Sequence, residues 1–167
     1  CICSIYLLTE IKEFSLSLKS LIMQEYLPME IVIVKDGPIK RNLEIFLNKL
    51  KNKYKFIKVL NLRINRGLGF ALKKGLHFCK YNLILRFDSD DINLENRLKI
   101  QYEYFQKENN VDILGSYVKE FNIKNKIVKL KIKKVPISDK SIKKHMNFRN
   151  PFNHPSIILK KNKILSS

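Results

Sequence analysis

Three carboxylates fall within four residues at Asp88-Ser89-Asp90-Asp91. They follow a largely apolar run, residues 82–87 (NLILRF), that reads as a buried strand. Like charges at this spacing repel, so the cluster needs cations. An all-oxygen donor set suits a hard divalent ion, Mg2+ or Mn2+, which commonly binds through one or two carboxylates plus substrate phosphates. Two structural alternatives stand beside that reading. Lysines or arginines could neutralise the cluster, and Asp91 or Asn93 could cap the helix that follows.

Other residues could join such a site. Asp36 ends a β-branched run, residues 30–35 (EIVIVK), and precedes Gly37-Pro38. An aspartate there can accept from a base N–H or a ribose hydroxyl, or from backbone N–H groups of its own turn. Asn65-Arg66-Gly67-Leu68-Gly69 is a glycine-rich turn into a helix, which offers N–H groups and a positive dipole end to an anion. It is not the dinucleotide fingerprint, because it follows the third strand and lacks the G-x-G-x-x-G spacing. The alternative is a tight turn with close helix packing at Gly69 and Gly75. His154 sits between Asn153 and Pro155 in a loop rich in proline and asparagine, and Tyr6 lies near the end of the first strand, lining a cleft or packing in the core.

These residues need elements to position them. Residues 2–8 read as a strand, and Phe14, Leu18, Leu21 and Ile22 recur at helical spacing. After the strand at 30–35, Leu43, Phe46, Leu47 and Leu50 give the stripe of an amphipathic helix. A third strand is expected at 56–62, then a helix turning Ala71, Leu72, Leu76 and Cys79 inward. A fourth strand is expected at 82–87, then a helix marked by Leu94, Leu98, Tyr102 and Phe105. Such alternation predicts a mostly parallel sheet covered on both faces. Ligands then bind beyond the carboxyl ends of the strands, where Asp36 and Asp88–Asp91 both fall. Past residue 110 the pattern changes. Two strands, 111–121 and 126–135, are expected about a polar turn at 122–125, then a short helix at 138–146 and a last strand at 156–159.

With 167 residues, 45% hydrophobic and 10% aromatic, the chain suits one folded domain. No apolar run approaches the roughly 18 residues of a membrane span, and no secretory pattern is found. The chain opens on Cys1 without an initiator methionine and reads as a piece of a longer protein. Three cysteines, without C-x-x-C spacing, argue against a disulfide framework or zinc site and fit a reducing compartment. The net charge is +18, from 33 Lys and Arg against 15 Asp and Glu. That predicts attraction to polyanions, including anionic lipid and phosphorylated substrates. Lysine dispersed along a chain rich in isoleucine and asparagine is also what an AT-rich genome produces.

Four ordered blocks resemble glycosyltransferase family 2, the inverting enzymes of the GT-A fold, and among them the bacterial branch that builds capsule, exopolysaccharide or lipopolysaccharide. The blocks are residues 17–38, 65–76 (NRGLGFALKKGL), 83–101 (LILRFDSDDINLENRLKIQ) and 149–161 (RNPFNHPSIILKK). The resemblance implies a Rossmann-like α/β domain over residues 1–167, with a small antiparallel extension after the D-x-D. Residues 1–110 would be the nucleotide-binding half and 111–167 the start of the acceptor half. It implies a sugar transferred with inversion from a nucleotide diphosphate, most simply a UDP-sugar, to a polysaccharide or lipid-linked saccharide.

The resemblance also assigns roles. Tyr6 and the segment to Glu10 would line the nucleotide pocket, Asp36 would meet the base, and Asn65, Arg66 and Gly67 would lie near the nucleotide or its phosphates. Asp88, Ser89 and Asp90 form the D-x-D beside the donor, and Asp88, Asp90 and Asp91 would hold Mn2+ or Mg2+. Asn153 and His154 would face the sugar and acceptor. Two departures stand out. Lys35 occupies a position where the family often has a second acid, and the family's catalytic base lies in a later segment, beyond residue 167. The expected setting is cytoplasmic, with the basic charge drawing the protein to an anionic inner membrane face.

Two rival readings are weaker. A nucleic-acid-binding module would cluster its basic residues on one face and would have to avoid the acidic run, so no nucleic-acid partner is expected. A sugar nucleotidyltransferase would open with a glycine-rich phosphate loop after the first strand, where this chain has Leu7-Leu8-Thr9-Glu10.

Overall fold

A computed structural model describes residues 1–124 and 127–166 of the chain. Its centre is β2 (Ile31–Asp36), whose first four residues are fully buried. A strand covered on both faces selects the unbroken β-branched run Ile-Val-Ile-Val over an alternating pattern. It pairs in parallel with β1 (Ile2–Ile5) on one side and β3 (Ile57–Leu62) on the other. The fourth strand, β4 (Leu83–Leu85), joins β1 through a parallel bridge between Ile2 and Arg86, supported by the Phe87 amide donating to the Ile2 carbonyl at 3.1 Å. Beyond it the direction reverses. β8 (Ile158–Lys160) runs antiparallel to β4 and to the short β5 (Ile113–Leu114). The parallel sheet and its small antiparallel extension are thus as expected.

Helices cover both faces. On one side α1 (Ile11–Ile22), α2 (Arg41–Lys53) and α4 (Arg97–Lys107) send Phe14, Leu18, Leu21, Leu43, Leu47, Leu98 and Phe105 against Ile31, Ile33 and Phe87. On the other, α3 (Leu68–Phe78) sends Ala71, with Leu72 and Leu76, against Ile2, Val32 and Val34. Each fully buried aliphatic side chain contributes roughly 1.5–3 kcal/mol. Gly75 lets α3 come this close: a Cβ there would lie 2.5 Å from Ile2 Cδ1 and 2.6 Å from Val34 Cγ2. Gly69, expected to pack in the same way, has no atom within 4 Å of such a Cβ.

Several expected boundaries shift. β1 ends at Ile5 instead of Leu8, because Tyr6 and Thr9 exchange bonds that turn the chain: the Thr9 amide donates to the Tyr6 carbonyl and the Tyr6 amide to Thr9 Oγ1, both at 3.0 Å. α4 begins at Arg97, so Leu94 is outside it and 75% exposed. Neither Asp91 nor Asn93 caps α4. The residue before it is Asn96, which makes no side-chain cap, and the orphan Leu98 amide is satisfied by Gln24 Oε1 at 3.1 Å.

After β5 the chain forms a two-stranded antiparallel hairpin, β6 (Val118–Lys124) and β7 (Ile127–Lys133). Among the described residues it pairs with neither other sheet. The expected turn at 122–125 is strand as far as Lys124, and Asn125 and Lys126 lie outside the described residues. α5 (Asp139–Met146) opens with a capping box in which Ser138 and Ser141 bond reciprocally. His154–Ser156 form one 3-10 turn ahead of β8, and α6 (Lys161–Leu165) follows. The basic charge, expected to be dispersed, is weighted to this half: residues 117–149 carry eleven Lys and Arg against two acids, half of the net +18.

Candidate functional site

The predicted residues gather at the carboxyl edge of the parallel strands, on loops 6–10, 36–40, 65–67 and 88–93. The edge falls where β1 and β4 lie side by side while the chain order runs in opposite directions from them. An open α/β sheet leaves a crevice for ligands at such a point.

Asp36 is buried, and both its oxygens are engaged. Oδ1 accepts from the Arg66 amide and Oδ2 from the Gly67 amide, each at 2.9 Å. The Gly67 amide also reaches Asn65 Oδ1 at 3.1 Å. The loop at 65–67 therefore does bind an anion with its N–H groups, and that anion is the protein's own carboxylate. This leaves the Arg66 guanidinium, seated 4.0 Å from the Phe70 ring centre, as the positive group the loop offers outward. Gly37 makes the arrangement possible. Its φ is +84°, and a Cβ would stand 2.6 Å from the Asn65 amide nitrogen.

The acidic run is held from three sides. Ser17 Oγ donates to the Asp88 carbonyl at 2.8 Å. One turn on, Ser20 Oγ accepts from the Asn93 amide at 2.9 Å, and Gln24 Nε2 donates to the Leu94 carbonyl at 2.8 Å. Residues 17, 20 and 24 share one face of α1 and its end, so a polar stripe stitches that helix to the loop. Arg97, at the start of α4, donates to the Arg86 carbonyl at 2.9 Å, to Gln101 Oε1 at 3.1 Å and to Asn93 Oδ1. Burial lowers the Arg97 pKa to about 10 despite Asp91 and Asp88, which leaves it charged at neutral pH.

The carboxylates differ in what they touch. Asp88 accepts from Arg86 Nη2 at 3.0 Å, an ion pair with a nearly buried cation. Among the described residues Asp90 is exposed and takes no hydrogen bond or ion pair. The Asp91 carboxyl is pushed above the usual aspartate range by burial first, then by Asp90 and Asp88. No preformed group of three His, Cys, Asp or Glu side chains at metal distance occurs among the described residues. An unengaged Asp90 beside an Asp91 burdened by like charges is still a hard oxygen set that a divalent cation would relieve, and such ions complete their shells with substrate phosphates and water.

His154 comes to the same place from the other half of the chain. Its Nδ1 meets Arg86 Nη1, and the Asn150 amide lies on its Nε2. A guanidinium only donates, so Nδ1 carries the lone pair. Asn153 is buried instead, and its Nδ2 donates to the carbonyls of Ser116 at 3.0 Å and Lys133 at 3.2 Å. At the opposite margin Tyr6 is exposed, which removes it from the core, and Glu10 pairs with Lys40 across two of the loops. Lys35 turns to the other face of β2 and pairs with Glu44 of α2. Ser89 lies half-buried between the aspartates.

Arg86, Arg97 and the α1 stripe were not among the expected site residues. Arg86 had a signal: it is the one charge in residues 82–87, and period two sets it on the same side as Asp88. Ser17, Ser20 and Gln24 at spacings of three and four had another, a polar line on a helix whose neighbours are core.

The family model for Glycosyl transferase family 2 matches residues 9–166. Over 149 residues the chain is 40% identical to the UDP-Gal:alpha-D-GlcNAc-diphosphoundecaprenol beta-1,3-galactosyltransferase of Escherichia coli, covering 89% of this chain and 53% of that protein. S. aureus TarS 1–349 in complex with UDP-GlcNAc matches with a TM-score of 0.68 at 21% identity, over 99% of this chain and 46% of that one. The mannosyltransferase PcManGT from Pyrobaculum calidifontis, in complex with GDP-Man and Mn2+, matches with a TM-score of 0.61 at 17% identity, over 71% of this chain and 34% of that one. The chain spans about half the length of the curated relatives it matches.

Proposed function

Because the chain belongs to glycosyltransferase family 2 and has its GT-A fold, we propose that it is the donor-binding part of a glycosyltransferase. That enzyme would move a sugar from a UDP-sugar to a polysaccharide or lipid-linked saccharide with inversion, assisted by a divalent cation. Residues 1–110 are its nucleotide half and 111–167 the start of its acceptor half. The observation that carries this reading is the run Asp88–Asp91 at the sheet's crevice, with Asp90 exposed and free of protein partners.

The residues then divide the work. Tyr6 and Glu10 border the nucleotide, whose base and ribose lie toward Asp36. The loop that Asp36 holds presents Arg66 toward the phosphates. Asp90 and Asp91, with Asp88 steadied by Arg86, would hold Mn2+ or Mg2+, which would neutralise charge building on the departing diphosphate. Asn153 anchors the loop that brings His154 to the sugar and acceptor side. The general base that takes the acceptor proton is assigned to the part of the enzyme beyond residue 167. The reading also places the enzyme in the cytoplasm, peripheral to a membrane that carries its acceptor. Support comes from the Escherichia coli relative, whose name specifies UDP-Gal and a diphosphoundecaprenol-linked acceptor. No helix among the described residues is long and apolar enough to cross a membrane.

The test is calorimetric titration of UDP into the chain with and without Mn2+, repeated with Asp90→Ala. Metal-dependent binding that Asp90→Ala abolishes is the expected result. Absence of UDP binding by the folded chain under all conditions would overturn the assignment of a donor site to these residues.

A further inference from the structure

We propose that the β6–β7 hairpin is a docking surface for an anionic lipid bilayer, an inference that rests on the reading of this chain as an enzyme with a lipid-linked acceptor. The register sets Lys119 opposite Ile132 and Phe121 opposite Leu130. Period two places these four side chains on one face, with Val118, Glu120, Lys131 and Lys133 on the other. On the first face Phe121, Leu130 and Ile132 are 53%, 59% and 55% exposed. A two-stranded hairpin with an open apolar face is marginal in water and gains by covering that face.

Charge says what the cover is. The segment from 117 to 149 carries half of the net positive charge of the whole chain. Lys119 on this face and Lys134 just past β7 are exposed beside the apolar side chains and, among the described residues, neither is paired with an acid, whereas Lys133 on the other face lies 3.6 Å from Glu120. Aromatic and branched side chains flanked by lysines suit the headgroup boundary, where apolar groups enter the acyl region and ammonium groups reach phosphates. The base of the hairpin is tied to the site: Asn153, next to His154, donates to carbonyls at Ser116 and Lys133. Docking here would hold the acceptor side of the crevice at the membrane surface.

The experiment is cosedimentation of the chain with phosphatidylcholine vesicles and with vesicles of equal parts phosphatidylcholine and phosphatidylglycerol. Binding is expected on the anionic vesicles only, weakening as salt rises. Replacing Lys119 and Lys134 together by glutamine should weaken it on the order of 30-fold. Phe121→Ser with Leu130→Ser and Ile132→Ser should weaken it at least tenfold. Both variants should bind UDP as the parent does, so loss of UDP binding in the parent sinks the donor site and not the docking surface. Equal binding to both vesicle types, or variants that still bind anionic vesicles like the parent, would overturn the proposal. So would a sedimentation dimer that the serine variant dissolves without affecting vesicle binding, since a second copy would then be the cover.

Discussion

Arg86, the residue that bridges β4 to β1, donates from its guanidinium to Nδ1 of His154, 68 positions later in the chain. The same guanidinium pairs with Asp88, so one buried cation ties the acidic run to the loop that follows the hairpin. Its Nε is buried and without a hydrogen-bond partner among the described residues. The two parts of the chain that border the crevice therefore meet at Arg86.

If that is the joint, Arg86→Met should destabilise the chain by about 1–3 kcal/mol, because Asp88 loses its partner but keeps some water. His154 is exposed, so His154→Ala should cost less than about 1 kcal/mol. Urea unfolding of both variants measures this. Equal losses would instead make His154 a structural strut of the same weight as Arg86.

The second prediction concerns the loop that Asp36 fills. Asparagine presents one oxygen and an NH2 donor, so Asp36→Asn breaks one of the two bonds to the Arg66 and Gly67 amides and takes the charge from the other. The expected loss is about 1–3 kcal/mol. Gly37→Ala should be comparable, since it meets both a positive φ and the Asn65 amide. Thermal melts compare the two. In each, UDP affinity should fall further than stability does, as the loop that carries Arg66 loosens.

The raised Asp91 carboxyl gives a pH dependence. A carboxyl whose folded pKa lies above its unfolded value leaves an unfavourable charge in the fold once the pH exceeds both values, and leaves none below both. In EDTA, Asp91→Asn should therefore raise the melting temperature at pH 7 by about 1–2 °C, after allowing for water screening of a partly exposed group. That gain should fade as the pH falls through the ordinary aspartate range. Mn2+ should stabilise the parent at pH 7 and have no effect on Asp90→Asn. A melting temperature in EDTA that does not respond to Asp91→Asn at any pH would mean that the carboxylate crowding has no energetic consequence.

Much of this was legible in advance where burial is periodic. The unbroken Ile31–Val34 run marked a strand covered on both faces, and the stripes through Phe14 and Leu43 marked helices lying on it. A D-x-D-D following residues 82–87 marked the crevice. What periodicity does not carry is which donor a carboxylate meets. Asp36 finds the Arg66 and Gly67 amides some 30 residues on, and no local signal links them. Tyr6 was ambiguous for the same reason, because one position at a strand end has no repeat to assign its face. Leu94 matches the stripe of α4, yet the tertiary bonds of Ser20 and Gln24 hold residues 93 and 94 in a loop ahead of the helix.

Gln24 makes that last dependence measurable. It is buried, its Nε2 donates to the Leu94 carbonyl, and its Oε1 accepts from the Leu98 amide at the start of α4. Gln24→Met keeps the volume and removes both bonds; the Leu94 carbonyl keeps the Arg97 amide at 3.0 Å, but the Leu98 amide loses its partner, at about 1–3 kcal/mol. The loop from Asp88 to Leu94 would then rest on Ser17, Ser20, Arg97 and the Arg86–Asp88 pair. Metal-dependent UDP affinity should drop by about tenfold, as a carboxylate pair that has lost its fixed geometry must be ordered on binding. Ser17→Ala, which frees the Asp88 carbonyl, should act in the same direction, and the two variants should be less than additive if they grip one loop. Fully additive losses in UDP affinity would mean that the stripe acts on two independent sites, and that α1 does not position the acidic run as a unit.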